Sequence, residues 1–414
     1  MISPQDTFSE LVQFTKEFRG EKADGLIIVP FYKAYDYLFK HLKLLEAQTF
    51  QDFDLIIVMG ASSDEKKVID FINQNKFRYG IIVAKTKEDT GAAGGFFTGE
   101  RYALENGYKY VIIADDDCLP VNKQHIETLV EEHRKGNPLV YARVAFVLDG
   151  EEVHYQSGLP YYSLVDIGLL RKAGLHFAPL YIGGDDGEFE ARLFRLAKPL
   201  RTESKVTHPK EHSIFVDFER SVRYRINEML LDIPEHSDIY LYDIALVSLC
   251  YLIFGTPAVR KGGFHMLYCA IIHRYGPDAA KGFKSAPGFA QEELKFDRIV
   301  TPLASQKGKE YFLYQYGAGQ MIKHLLELAV ATFRKKALLM PINTFGALVS
   351  MIVAKETWVS SRAGHYLLAE NRNAFIHLLK LFLFGLLFPP FLVLAVLTLL
   401  LNLARKPKTM GYGI

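Results

Sequence analysis

Between Gly25 and about Ala145, short β-branched runs alternate with polar, helix-compatible stretches, and that rhythm leaves few folds open. Strands covered on both faces read as near-continuous apolar runs, and parallel neighbours need a crossover between them. The pattern therefore predicts an α/β domain built on a mostly parallel, Rossmann-like sheet. The strand segments are Gly25–Pro30, Asp54–Met59, Tyr79–Ala84, Tyr110–Ala114 and Leu139–Val147. Helices are expected from about Asp36 to Gln48, Asp64 to Asn75, Gly95 to Asn106 and Lys123 to Lys135. A doubly wound sheet places its ligands at the carboxyl ends of its strands. Pro30-Phe31-Tyr32, Gly60 to Asp64, Asp89 to Gly99 and Asp115 to Asp117 fall there.

The 414 residues leave room for two or three structural units. Lys and Arg total 49 against 47 for Asp and Glu, so a net charge of +2 supplies no global attraction to nucleic acid, and none is expected as a partner. Cys118, Cys250 and Cys269 are too few and too scattered for a disulfide framework or a zinc ribbon, which points to a reducing compartment. Met1 to Arg19 carries acids and no long apolar core, unlike a cleaved secretory signal, and residues 1–24 read as a helical lead-in.

Beyond about residue 215 the strand signals fade. A helical extension is expected over 216–334, with segments Ser221–Leu231, Asp238–Phe254, Lys261–Tyr275 and Tyr311–Arg334. Residues 335–372 mix apolar stretches with Lys335, Lys336, Lys355, Arg362 and the sole tryptophan, Trp358, a pattern suited to interfacial helices. Leu381 to Leu403 has no charged residue and is long enough for a bilayer core of about 30 Å, so 373–404 is expected to be a membrane segment. Pro389-Pro390 would make it either a re-entrant hairpin or a kinked span. Residues 405–414 form a basic tail expected on the cytosolic side.

The strongest chemical signal is Asp115-Asp116-Asp117, directly after the apolar strand Tyr-Val-Ile-Ile-Ala. Adjacent carboxylates repel one another unless a cation sits among them, and oxygen ligands select a hard ion such as Mg²⁺ or Mn²⁺. Alternation along an extended chain sends Asp115 and Asp117 to one side and Asp116 to the other. Upstream, Asp89-Thr-Gly-Ala-Ala-Gly-Gly-Phe-Phe-Thr-Gly99 is rich enough in small residues to let backbone approach a ligand at a helix start, though it matches neither a P-loop nor G-x-G-x-x-G. A second acidic group, Asp185-Asp186-Gly187-Glu188, opens another helical pattern after Gly183-Gly184. A carboxylate presented this way is suited to take a proton from a hydroxyl nucleophile. His208 ends a short β-like stretch. The run His208-Pro-Lys-Glu211-His212 formally fits H-x-x-E-H, but Pro209 argues against the continuous helix a metalloprotease would need.

In this order, the Val29-Pro30-Phe31-Tyr32 strand end, the Gly91–Gly99 loop, the aspartate triplet and Asp185-Asp186 followed by His208 resemble the inverting GT-A glycosyltransferases of family 2. The resemblance covers about Gly25 to Asn227 and is nearest to the galactofuranosyl- and rhamnosyltransferase branch. It implies a GT-A catalytic domain over 25–215 and a Mn²⁺ or Mg²⁺ ion held by Asp115, Asp117 and His208. It implies Asp186 as the base that deprotonates the acceptor, with Asp185 and Glu188 orienting base or acceptor. Nucleotide-sugar contacts are implied for Pro30, Phe31, Tyr32, Ser62, Gly91, Gly94, Gly95, Arg101 and Asp116.

The sequence departs from the branch at Gly60-Ala-Ser-Ser-Asp64, where an acidic pair is usual, at Gly183-Gly184, where tryptophan is frequent, and at Arg223-Tyr-Arg-Ile-Asn227, which matches only in part. The expected activity is transfer of a sugar from a UDP- or dTDP-linked donor to a hydroxyl or phosphate of a lipid-linked saccharide or polyprenyl phosphate. It would take place at the cytosolic face of the cell membrane, in contact with lipid and compatible with a homo-oligomer. A sugar nucleotidyltransferase and a non-catalytic membrane scaffold on the same fold are the alternatives.

Overall fold

In a computed structural model, residues 12–17, 21–148, 151–155, 158–183, 185–194, 196–209, 248–254, 257–272, 338–341, 356–361, 364–370 and 374–404 are described. The chain divides into two compact units, Met1–Lys210 with Thr409–Ile414, and Glu211–Lys408.

The first unit is built on one mixed sheet. Its strands are β1 (Val12–Glu17), β2 (Gly25–Phe31), β3 (Phe53–Met59), β4 (Gly80–Thr86), β5 (Tyr110–Ala114), β6 (Leu119–Pro120), β7 (Leu139–Leu148), β8 (Glu151–Tyr155), β9 (Tyr161–Asp166) and β10 (Leu200–Pro209). They run in the order β1-β4-β3-β2-β5-β9-β7-β10-β6, with β8 paired to β7. Strands β4, β3, β2 and β5 are parallel, while β9 runs antiparallel to both β5 and β7.

Among the described residues, six α-helices cover the sheet: α1 (Tyr35–Glu46), α2 (Glu65–Gln74), α3 (Gly91–Glu105), α4 (His125–Arg134), α5 (Ile167–Ala173) and α6 (Asp185–Phe194). Alternate residues of the same strands feed two separate cores. Ile27, Val29, Leu55, Ile57 and Ile112 pack with Leu38, Leu42 and Leu45 of α1, Val68 and Ile72 of α2, and Leu129 of α4. Leu26, Ile28, Ile56, Val58 and Ile113 pack on the other face with Phe96 and Ala103 of α3, Leu170 of α5 and Phe189 of α6. Burial on both faces is why the strands read as unbroken apolar runs. Chain order reverses between β2 and β5, with β3 and β4 on one side of β2 and β5 on the other, so the crevice beyond their carboxyl ends is the topological switch point.

Val12–Glu17 is a strand paired antiparallel to β4, not part of a helical lead-in. The alternation of Val12, Phe14 and Lys16 suits a strand that closes an otherwise open sheet edge. In the second unit the described elements are α7 (Ser248–Phe254), α8 (Pro257–Ile272), β11 (Leu338–Pro341), β12 (Glu356–Ser361), β13 (Gly364–Glu370) and α9 (Ala374–Ala404). The segments Ser221–Leu231 and Tyr311–Arg334 lie outside the described residues, as does the tail from Arg405.

Where interfacial helices are expected, β11, β12 and β13 form a three-stranded sheet, with Ser361 paired to Gly364 across the β12–β13 hairpin. The β-branched and aromatic run Thr357-Trp358-Val359 favours an extended chain over a helix. The last helix runs unbroken through Pro389 and Pro390, so the re-entrant hairpin is not formed. Adjacent prolines remove donors from one turn only, and the backbone bonds on either side carry the helix across. Some side chains of α9 lie outside the described set, and among the described residues no helix is long and apolar enough to cross a membrane.

One polar string lies inside the first core. His41 of α1 is hydrogen-bonded to the Tyr162 hydroxyl of β9, and His125 Nδ1 of α4 lies 2.6 Å from Ser204 Oγ of β10. The His125 and Tyr162 rings meet edge to face at 4.6 Å. Burial lowers His41 to about 4 and His125 to about 3. An unfolded chain takes up these protons near pH 6.5, whereas the folded one refuses them until far lower pH. Their contribution to stability is therefore complete above about pH 6.5 and is lost as pH falls toward 4. The melting temperature should drop across that window, and His125→Gln should make the drop shallower when followed by circular dichroism.

Candidate active site

The fully buried strand β5 ends at Ala114, which delivers the next residues to the switch point. The Asp115 N–H donates to the Pro160 carbonyl at 3.1 Å, and the Cys118 N–H donates to the Asp115 carbonyl at 3.2 Å, which closes a turn over the aspartate triplet. Immediately afterwards β6 pairs antiparallel with β10, Leu119 opposite Thr207 and Pro120 opposite Val206. That pairing carries His208 back to the triplet, with Nε2 3.3 Å from Asp117 Oδ1 and Tyr161 edge-on to its ring at 5.3 Å. Asp116 departs from its two neighbours, and its carboxylate accepts from the Tyr32 N–H at 3.4 Å.

One ligand atom from each of Asp115, Asp117, Cys118 and His208 lies within 4.8 Å of the others. Two carboxylates and an imidazole suit a hard or borderline divalent ion. Burial, followed by Cys118's acidic neighbours, pushes its thiol well above the ordinary range, so the thiol is a poor ligand beside the carboxylates. Asp115 is likewise held well above the usual carboxylate range, first by burial and then by Asp117, Asp116, Asp185 and Asp186 in turn. The two acidic groups, far apart in sequence, thus lie within electrostatic reach of one another. A divalent cation is what would relieve that repulsion.

Asp185 and Asp186 occupy the first turn of α6, behind Gly183 at φ +85°. Asp185 is buried, whereas Asp186 is only half-buried and accepts from the Gly187 N–H at 3.0 Å. Burial, then repulsion from Asp186, lifts Asp185 to about 7, while His176 and nearby backbone donors pull the other way. The environments of the two acids therefore differ, as acid–base chemistry requires.

Glu188, an orienting residue on the resemblance, lies in a buried ion pair. Its carboxylate is gripped by Arg192 through two bonds of 2.6 and 2.7 Å, and the same guanidinium donates to the carbonyls of Ala173 and Leu175. Through Arg192, Glu188 fixes α6 to the end of α5.

At the end of β2, Phe31 is buried and Pro30 half-buried, but Tyr32 is 55% exposed, with the Lys33 ammonium 4.9 Å from its ring centroid. Ser62 donates to Asp89 at 3.3 Å, so a carboxylate reaches the β3 loop from another element and stands where the local sequence lacks one. The glycines of the Gly91–Gly99 run serve packing. Gly91, at φ +65°, would place a Cβ 1.9 Å from the Tyr181 carbonyl, Gly95 one 2.6 Å from Pro30 Cβ, and Gly99 one 2.3 Å from Ile28 Cγ2. The buried Gly94 donates to Thr90. The run is the first part of α3, pressed onto β2, and not a loop open to a ligand. Arg101 stands about 15 Å along that helix from Gly91 and pairs with Glu105 at 2.7 Å, away from the crevice.

Sequence reading does not find the bond from Ser62 to Asp89, Tyr161, or the buried pair Glu100–His176 beside α6. Each acquires its place through a partner remote in the chain, and none carries a local pattern. Because the Glu188–Arg192 pair is almost fully buried, removing one partner strands a charge. Arg192→Met should cost about 3–5 kcal/mol in denaturant unfolding.

Residues 26–186 match the model of the glycosyl transferase family 2 domain. No curated protein matches the chain. Among solved structures, similarity extends to TarS of S. aureus, at 17% identity over 52% of this chain and 42% of that one, with a TM-score of 0.38. This chain thus spans less than half the length of that TarS structure. Mannosyltransferase PcManGT from Pyrobaculum calidifontis, in complex with GDP-Man and Mn²⁺, gives 16% identity over 76% and 88% of the two chains and a TM-score of 0.40. GalNAc-T7 with UDP, GalNAc and Mn²⁺ gives 12% identity over 46% and 44%, with a TM-score of 0.37. The matched residues run from the first buried parallel strand to the half-buried acid of the pair, so the similarity to the glycosyl transferase family 2 domain spans both acidic groups of the crevice.

Proposed function

We propose that the protein is a metal-dependent inverting glycosyltransferase that moves a sugar from a UDP- or dTDP-linked donor to a hydroxyl or phosphate of a lipid-linked acceptor. The galactofuranosyl- and rhamnosyltransferase branch is the model for its donor class. The observation that carries this reading is the gathering of Asp115, Asp117 and His208 ligand atoms within 4.8 Å at the switch point, with Asp185 and Asp186 close enough to perturb Asp115.

Asp115, Asp117 and His208 would hold Mn²⁺ or Mg²⁺. When bound, that ion supplies Lewis-acid stabilisation of the departing nucleoside diphosphate. Tyr32 offers a ring face to the nucleotide, and Ser62 and Asp89 offer polar atoms at the end of β3. Asp186 takes the proton of the acceptor hydroxyl as its oxygen attacks the anomeric carbon in line with the leaving diphosphate, which inverts the configuration. Asp185, buried behind it, fixes the local charge.

Membrane association at the cytosolic face is part of the same reading. Along α9, Phe382 is 71% exposed and Leu386 61%, and Val393 and Leu400 are exposed too. A water-facing stripe of this kind favours lipid, and Arg405, Lys406 and Lys408 follow it in the sequence. An anchored enzyme has preferential access to an amphiphilic acceptor.

The test is a panel of nucleotide sugars with Mn²⁺, scored for released nucleoside diphosphate against pyrophosphate. Asp117→Ala should abolish metal-dependent nucleotide binding. Asp186→Asn should keep that binding and lose transfer by about 100-fold or more. Pyrophosphate release would indicate a nucleotidyltransferase, and full transfer by the Asp186 variant would remove the base assignment.

A further inference from the structure

Arg260, Lys261 and Lys380 are the only formally charged residues of α7, α8 and α9, which together hold no Asp or Glu. Both α8 and α9 pack on α7. On α8 the packed side includes Gly263 and Cys269, whereas Arg260, Phe264 and Tyr268 follow one another at i, i+4 along a single exposed face, with Lys261 beside Arg260. Phe264 is 65% exposed and Tyr268 50%. The longer helix α9 is sided too, with Phe384 and Ala395 buried and Phe382, Leu386 and Val393 exposed.

Standing in water, these faces carry two costs. Aromatic rings on α8 and apolar side chains on α9 stay hydrated. Lys380, half-buried, also lies within reach of the Arg260 charge, so cations from two helices meet with no acid of these helices between them. A bilayer bearing anionic headgroups relieves both, because it takes the rings into its interfacial layer and sets phosphates against the cations. Other occupants relieve one cost at most. A second copy docked through the same face would bring like charges together, and a nucleic acid would leave the apolar face of α9 wet.

We infer that the Arg260–Tyr268 face of α8 is a second membrane contact, additional to α9, and that it selects anionic phospholipid. Arg260 and Lys261 meet headgroup phosphates, and the rings of Phe264 and Tyr268 enter the layer just beneath them. The inference rests on the membrane-associated reading proposed above and not on the transfer reaction.

The test is flotation of the full chain, diluted from mild detergent, with vesicles of phosphatidylcholine alone or with about a third phosphatidylglycerol. Arg260→Gln with Lys261→Gln should weaken binding to the anionic vesicles by about tenfold or more and leave binding to the neutral ones unchanged. Phe264→Ser with Tyr268→Ser should weaken binding to both. The substituted side chains are exposed, and if one double variant does not fold the other decides. Equal binding of the wild type to the two vesicles, or anionic binding unmoved in a folded double variant, overturns the inference and leaves membrane contact to α9. A wild type that floats with neither vesicle overturns the membrane reading along with it. Sedimentation velocity completes the comparison: a ring variant that turns an oligomer into a monomer while floating like the wild type makes this face a contact between copies and overturns the inference. If the vesicle results are as expected but the wild type transfers no sugar, the proposed reaction fails and the inference stands.

Discussion

The mutual repulsion of carboxylates is the constraint on which the rest of the site depends. Asp115, Asp117, Asp185 and Asp186 come from two elements that the chain separates by nearly seventy residues, yet they share one electrostatic environment. A fold does not gather that much negative charge in a half-buried crevice without a compensating ligand. On the proposed reading, that compensation is a divalent cation beside a diphosphate. The fold supplies the means of convergence, since the reversal of chain order between β2 and β5 opens the crevice and the short pairing of β6 with β10 returns His208 to it.

The scaffold around the crevice is specified by close packing. Gly95 and Gly99 let α3 lie against Pro30 and Ile28, which seats the start of that helix beside the end of β2. The Glu188–Arg192 pair ties α6 to α5 and so holds Asp185 and Asp186 in place. On the proposed reading a rigid floor matters, because a metal site and a base must be positioned together for attack in line.

The parallel core was legible in the sequence nearly residue by residue, because strands buried on both faces leave an apolar run that little else imitates. The triplet was legible for the same reason, since a polar cluster directly after such a run has nowhere to be but the strand end. What escaped was whatever depends on a distant partner. Val12–Glu17 became a strand because β4 had an open edge, and the glycine run became the packed start of a helix because β2 lies beneath it. The partner of Glu188, Arg192, lies on the same helix, but the carbonyls of Ala173 and Leu175 that this guanidinium also reaches come from elsewhere in the chain. Trp358, read as an interfacial helix residue, stands opposite Leu367 in a sheet. In each case the local residue types were compatible with both readings, and tertiary contacts decided.

On the proposed reading, one divalent ion sits among Asp115, Asp117 and His208, beside the acid pair. Pulsed electron paramagnetic resonance of Mn²⁺ on the full chain, with a nucleoside diphosphate present, addresses it most directly. A single tightly bound Mn²⁺ is expected, its electron spin echo modulated by one histidine nitrogen, with that modulation gone in His208→Gln. A bound Mn²⁺ with no histidine nitrogen coupling, or one whose coupling survives the loss of His208, would contradict it.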